Sequence, residues 1–299
     1  MGLDTLGREM LAAGLGCAIA DGALNGLEVT KVKMQLDVSQ CYPKSTVGTI
    51  RQCVAEDGAV SGLMLPGLSA TFLRAMTYVA FRVGTYPTVR DAVCGGDGGA
   101  TLANRVLAGA ITGGVGSMIF CPIDVVRVRM QADAPGCHAR TFGSNGVLKT
   151  GLRAGQPVRY PTTLGAFGRI VSTEGLGGLY RGSGATVARA TMLSGSQLGS
   201  YDYLKSSAKE LLGLREGPVL HLSCSLLSGL IAQTVIQPVD TARSHIMASR
   251  TSTVAMVRAN GLAWFYRGFS AACLRQGPIM VMQMPLTEQI RLLMGVGAF

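Results

Sequence analysis

Cys121–Gln131 reads CPIDVVRVRMQ, and an apolar run, VLAGAITGGVGSMIF (106–120), leads into it. An acid, Asp124, stands two residues after Pro122, and bases stand three and five residues after the acid, at Arg127 and Arg129. Charges at the end of an apolar segment are expensive unless they face protein or water, and inside membranes such residues usually carry function.

The chain has 299 residues, 27 Lys and Arg against 17 Asp and Glu, and a net charge of +10. Only 15% of residues are charged, and mean hydropathy is +0.33. A soluble nucleic-acid binder would explain the charge but not the hydropathy, so no nucleic-acid partner is expected. Roughly 20 apolar residues span a bilayer. Several stretches approach that length and are broken by single charges, as in a helix bundle with a wet interior. The eight cysteines (17, 41, 53, 94, 121, 137, 224 and 273) form no CxxC and read as small buried apolar residues. The three histidines show no metal-ligand spacing. With no catalytic triad, phosphate loop or dinucleotide fingerprint, neither an enzyme nor a cofactor is expected. The opening MGLDTLGREM lacks a signal peptide's apolar core, and Leu6 stands where a myristoylation pattern needs Ser or Thr.

The opening stretch has two echoes. NGLEVTKVKMQ (25–35) repeats the acid, the two bases and the glutamine, and QPVDTARSHIM (237–247) repeats the proline, acid and first base. The acids Glu28, Asp124 and Asp240 are 96 and 116 residues apart. Downstream of each copy comes a second echo: AEDGAVSGLMLPG (55–67), STEGLGGLYRG (172–182) and RANGLAWFYRG (258–268). Apolar segments then follow, with one arginine near the start (FLRAM, VARAT, CLRQG) and the endings YPTVR, YDYLK and TEQIR. The chain therefore reads as three tandem repeats of about 100 residues (1–98, 99–213 and 214–299), each helix, polar loop, helix. Six helices are predicted near 8–36, 68–91, 103–131, 184–208, 217–247 and 270–294. Two spans per repeat give all three the same orientation. Small residues four apart, Gly109/Gly113, Ser225/Gly229 and less clearly Ala13/Cys17, fit close helix packing.

Three copies of Px[DE]xx[KR]x[KR], each followed by [DE]Gxxxx[YWF][KR]G, resemble the mitochondrial carrier family over nearly the whole chain. The resemblance implies an all-α membrane protein: a six-helix bundle with three-fold pseudosymmetry, multi-pass in the mitochondrial inner membrane, with alternating access to one central site and acting as a monomer. It implies a matrix gate in which Glu28, Asp124 and Asp240 pair with Lys31, Arg127 and Arg243 of neighbouring helices, braced by Gln35 and Gln131; Met247 cannot brace. It implies a weaker cytoplasmic gate, with Asp202 and Lys205 in YDYLK, Glu288 and Arg291 in TEQIR, and only Arg90 in YPTVR, so that Asp202–Arg291 and Glu288–Arg90 are its two pairs. The corners ending at Gly182 and Gly268 resemble sites for the lipid cardiolipin, where a helix N-terminus receives phosphate. LMLPG departs from that pattern and leaves the Gly67 corner in doubt. Gly26 replaces the usual proline and predicts a straighter first helix.

Thirteen residues before Pro87, Asp202 and Glu288 stand Arg74, Arg189 and Arg275, so each repeat places an arginine at one depth. Eight residues further along lie Arg82, Gln197 and Gln283, on nearly the same faces, with Tyr78 between Arg74 and Arg82. Three guanidiniums around one axis call for an anion of about two charges. TYVAFRVGTY and VARATMLSGSQLGSY resemble the dicarboxylate, oxoglutarate and uncoupling-protein branch, which implies antiport of dicarboxylates or keto acids, with phosphate as a possible counter-substrate. Asp21, in AIADG, resembles an acid of the uncoupling-like carriers. It is either a titrating group or a fixed counter-ion, and it keeps proton or fatty-acid-anion transport as the alternative. A non-transporting adaptor on the same scaffold would have lost gate residues that are largely present here. Arg140, Lys149, Arg153, Arg159 and Arg169, with no intervening acid, read as a matrix loop near anionic headgroups.

Overall fold

The computed structural model describes residues 3–36, 45–94, 101–132, 162–212, 218–248, 254, 257–258 and 261–295. Regular structure among them is entirely helical. In the first repeat, α1 (Leu3–Ala23) and α2 (Asn25–Leu36) make one bent helix. After α3 (Thr46–Asp57), the chain returns through α4 (Leu68–Arg74), a π-helical turn (Ala75–Val79) and α5 (Ala80–Cys94). In the second repeat, α6 (Leu102–Ile119) and α7 (Cys121–Ala132) precede the short α8 (Thr163–Glu174) and α9 (Leu176–Leu179), and α10 (Ser183–Leu212) returns. In the third, α11 (Pro218–Ala248) leads through a 3₁₀ turn (Leu262–Tyr266) to α12 (Phe269–Leu293). Arg140, Lys149, Arg153 and Arg159 lie outside the described residues; Arg169 is on α8.

The helices close a ring. α1 packs on α4–α5, α5 on α6, α6 on α10, α10 on α11, and α11 on α12, which returns to α1. Small residues set the spacing, as their placement predicts. A Cβ on Gly109 would meet the Ser194 hydroxyl at 3.5 Å, and one on Gly113 would meet Ala190 Cβ at 3.6 Å. In the first repeat the tight approach is at Gly16, where a Cβ would come within 2.9 Å of Thr287 Cα.

No single described helix is long and apolar enough to cross a membrane, but two bent pairs reach that length and composition together. Leu6–Ala23 meets Asn25–Leu36 at 63°, and Ala103–Ile119 meets Cys121–Ala132 at 68°. The expectation of a straighter first helix fails: the glycine copy bends almost as much as the copy with Pro122. Both tertiary and local bonds accompany the bend. Asn25 is fully buried, and its amide donates to the carbonyls of Met64 (2.7 Å) and Pro66 (3.0 Å). The Thr30 hydroxyl also donates back to the Gly26 carbonyl at 2.8 Å, a bond that favours bending. Conversely, α11 stays continuous through Pro238.

All three corners share one backbone. Gly67, Gly182 and Gly268 have φ of 65°, 84° and 75°, the left-handed region that favours glycine, and each starts a returning helix. The sequence departure at LMLPG therefore leaves the turn intact. A Cβ on these glycines would meet Gln131 Cγ (3.0 Å), Met247 Cγ (3.1 Å) and the Lys31 carbonyl (3.1 Å), with Gln35 Cγ close behind at 3.2 Å.

Candidate functional site

At one end of the ring α2, α7 and the last turns of α11 converge. Their charged residues are buried: Asp124 is 4% exposed, Asp240 2% and Lys31 7%. Three ion pairs cross between repeats. Lys31 pairs with Asp240, Arg243 Nη2 stands 2.6 Å from Asp124 Oδ2, and Arg127 Nη2 stands 3.7 Å from Glu28 Oε1.

The arginines of the returning helices reach the same carboxylates from the other side. Arg74 pairs with Asp124, Arg189 Nε with Asp240 Oδ1 (2.6 Å), and Arg275 Nε with Glu28 Oε2 (3.3 Å). Each acid is thus held by one base from each of the other two repeats. The first repeat's acid is held most loosely. Glu28 Oε2, Arg127 Nη2 and Arg275 Nε are buried and make no hydrogen bond. Arg275 also pairs through its Nη2 with Asp21. Asp21 and Glu28 therefore share one guanidinium.

Sequence reasoning missed a set of polar partners. Arg127 Nε donates to the Thr71 hydroxyl and Arg243 Nε to the Thr186 hydroxyl, both at 3.0 Å. The equivalent position in the third repeat is Ala272, and there the facing base is Lys31, which has no second nitrogen to satisfy. A signal existed: in two repeats a threonine stands three residues before the arginine, and in the third it does not. Asn25 and Gln237 were missed as well. The Gln237 amide donates to the Arg267 carbonyl at 2.9 Å, matching the bond from Asn25 to Pro66.

The glutamines do not brace the ion pairs. Gln35 Nε2 lies 3.4 Å from the Thr241 hydroxyl, and Gln35 Oε1 accepts from Ser244 at 2.9 Å. Gln131 donates to Asn25 Oδ1 at 3.2 Å. What Gln35, Gln131 and Met247 share is packing against a corner glycine of another repeat.

Above the convergent end lies a cavity of about 210 Å³. Arg74, Arg189, Arg275, Tyr78, Arg82, Gln283 and Asp21 line it together with the paired residues below. Its wall carries seven bases and four carboxylates, a surplus of three positive charges. The Arg74 guanidinium lies 5.0 Å from the Tyr78 ring centroid, in cation–π contact. Gln283 Nε2 lies 2.9 Å from Cys17 Sγ. Gln197 departs from the expectation: it lines a separate cavity, and its carbonyl accepts from the Ser228 hydroxyl of α11.

At the far end the structure describes one of the two expected pairs, Glu288–Arg90, and it is not formed. Arg90 binds its neighbour Asp91 (2.8 Å), and Arg291 stands 3.3 Å from Glu9 of α1. Among the described residues no ion pair joins Arg90 to Glu288. The side chain of Asp202 lies outside the described residues, and Lys205 is on α10.

The family model described as mitochondrial carrier protein matches residues 3–96, 98–211 and 215–296, once per repeat. The chain is 28% identical to the mitochondrial substrate carrier family protein ucpB of Dictyostelium discoideum, over 98% of each chain. It is 29% identical to mitochondrial uncoupling protein 1 of Arabidopsis thaliana (89% of this chain, 86% of the relative). It is likewise 29% identical to mitochondrial citrate transporter F of Aspergillus niger (89% and 83%).

Proposed function

Because this chain belongs to the mitochondrial carrier family, whose members are transporters of small metabolites and not enzymes, we propose that it exchanges dicarboxylates or keto acids across the mitochondrial inner membrane. The family places it in a mitochondrial membrane. In our reading it is a multi-pass monomer whose convergent end is the matrix gate and whose far end, with Arg90, Asp202, Lys205, Glu288 and Arg291, is the cytoplasmic gate.

The observation that carries the substrate class is the cavity charge. Three arginines, one per repeat, converge where seven bases face four carboxylates. An anion of about two charges offsets most of that surplus of three, and forked guanidiniums hold carboxylates well. The same arginines hold the gate acids. An arriving dianion competes with Glu28, Asp124 and Asp240 for Arg275, Arg74 and Arg189, leaving each acid with one base instead of two. Buried ion pairs have a small net free energy, because desolvation offsets attraction. Exchanging one partner carboxylate for another therefore opens the gate at little cost. The left-handed corners at Gly182 and Gly268, each at the start of a long helix, support cardiolipin as a bound structural lipid.

Asp21 supports a second reading, proton or fatty-acid-anion transport, since several relatives are named uncoupling proteins and this acid sits inside the cavity. One experiment separates the two. The purified protein is melted with malate, succinate, oxoglutarate, citrate, phosphate and laurate. A ligand bound only by the folded state at about a hundred times its Kd adds about 2.7 kcal/mol of stability. A shift with one or two dicarboxylates or keto acids that Arg189→Ala abolishes is the expected result. A shift with laurate alone refutes the exchange reading in favour of the second.

A further inference from the structure

A second cavity, about 330 Å³, lies in the far half of the ring, where α5, α6, α10 and α11 face one another. Arg82 and Tyr86, one turn apart on α5, line it together with Arg105 of α6. Tyr201 of α10 and Ser225 of α11 add hydroxyls. Every lining residue is basic or neutral: two guanidiniums and no carboxylate.

The contrast with the central cavity is in the pairing. Arg74, Arg189 and Arg275 are each held by a carboxylate, so an anion reaching them must displace one. Among the described residues no carboxylate pairs with Arg82 or Arg105, and neither makes a side-chain hydrogen bond. Two uncompensated guanidiniums around one cavity repel each other and attract an anion, which displaces only water there. The donors facing it are the two guanidiniums, the Tyr86 hydroxyl and the Ser225 hydroxyl; the Ser228 hydroxyl is already donating to the Gln197 carbonyl at 3.0 Å. Arg82 also lines the central cavity, so one side chain borders both.

We propose that this cavity is an outer carboxylate-binding station. It captures the cargo anion between Arg82 and Arg105 before Arg82 passes it to the central arginines. The proposal rests on the anion-exchange reading above and adds a second place where the same cargo binds.

The test is calorimetric titration of malate, and separately of laurate, into the full chain in detergent. Four proteins are compared: unsubstituted, Arg189→Ala, Arg105→Gln and the double variant. We expect Arg189→Ala to keep one residual malate site, and the added Arg105→Gln to weaken that site tenfold or more. Each variant's melting curve checks folding, and Arg189→Ala with Tyr86→Phe, which keeps every charge, serves if the double variant does not fold. Its residual site should weaken severalfold. Loss of all malate binding in Arg189→Ala, with binding intact in the unsubstituted protein, overturns the outer station and leaves the central site standing. So does a residual site indifferent to both Arg105→Gln and Tyr86→Phe. A residual site that takes laurate and not malate overturns the cargo assignment. If the unsubstituted protein binds no dicarboxylate at all, the exchange reading and the outer station fall together.

Discussion

The pseudosymmetry makes Lys31→Arg a sharp test when paired with Ala272→Thr. In two repeats the base at this position is an arginine, and its Nε donates to a threonine hydroxyl at 3.0 Å. In the third pairing Lys31 faces Ala272, which is 4% exposed. An arginine at position 31 keeps Asp240 as its partner but brings a buried Nε–H against a methyl group. A buried charged-group donor left unpaired costs about 1–3 kcal/mol. For a chain of this size one kcal/mol moves the melting midpoint by about 2 °C, so Lys31→Arg is expected to lower it by about 2–6 °C. Ala272→Thr supplies the missing acceptor, and the double variant should recover at least half of that loss. The assay is thermal unfolding of the four proteins of the double-mutant cycle, with an expected coupling of about 1–2 kcal/mol. Additive effects, with coupling below about 0.5 kcal/mol, would refute the claim that threonine and arginine act as a unit.

Three further outcomes follow from the same contacts. Asp21→Asn removes the carboxylate that holds Arg275; two like charges about 5 Å apart repel by about 3 kcal/mol at an effective dielectric of 20, and solvent exposure reduces this to about 1–2 kcal/mol. Dicarboxylate Kd should therefore fall about tenfold, as read by titration calorimetry, and an unchanged or raised Kd would count against a shared guanidinium. Gly67→Ala should cost about 1–2 kcal/mol in thermal unfolding, as much as Gly182→Ala, because both positions have positive φ and a Cβ near 3 Å from a side chain of another repeat. Glu9→Gln cuts the tie to Arg291 that fastens α1 to α12, so hydrogen exchange over residues 6–12 should quicken severalfold; unchanged protection would show that this contact does not hold the far end.

Much of this molecule was legible because repetition multiplies weak signals. One proline–acid–base motif says little, but Glu28, Asp124 and Asp240 in register fix three returning helix pairs and put three carboxylates on one axis. Depth along a helix was readable too, since counting thirteen residues back from the endings places Arg74, Arg189 and Arg275 in the same cavity. Partners were harder. Gln35 and Gln131 were read from the resemblance as braces of the gate ion pairs, whereas their bonds go to Ser244 and Asn25 on other repeats. The bend at Leu24 was hidden because the contacts that accompany it, from Asn25 to Met64 and Pro66, lie about forty residues away in sequence. Gln197 was placed by helical spacing alone, and spacing does not report which neighbouring helix covers a face.

The cross-linking of carboxylates has a consequence for how such a chain diversifies. No repeat holds its own acid: each lends one acid, one closing base and one cavity arginine to the other two, so four of the six contacts cross the boundary of any given repeat. Replacing one repeat of such a chain therefore puts two-thirds of its lock at stake at once. The lock instead couples substitutions in different repeats, and Lys31 in the first and Ala272 in the third differ together from the arginine–threonine pairs of the other two.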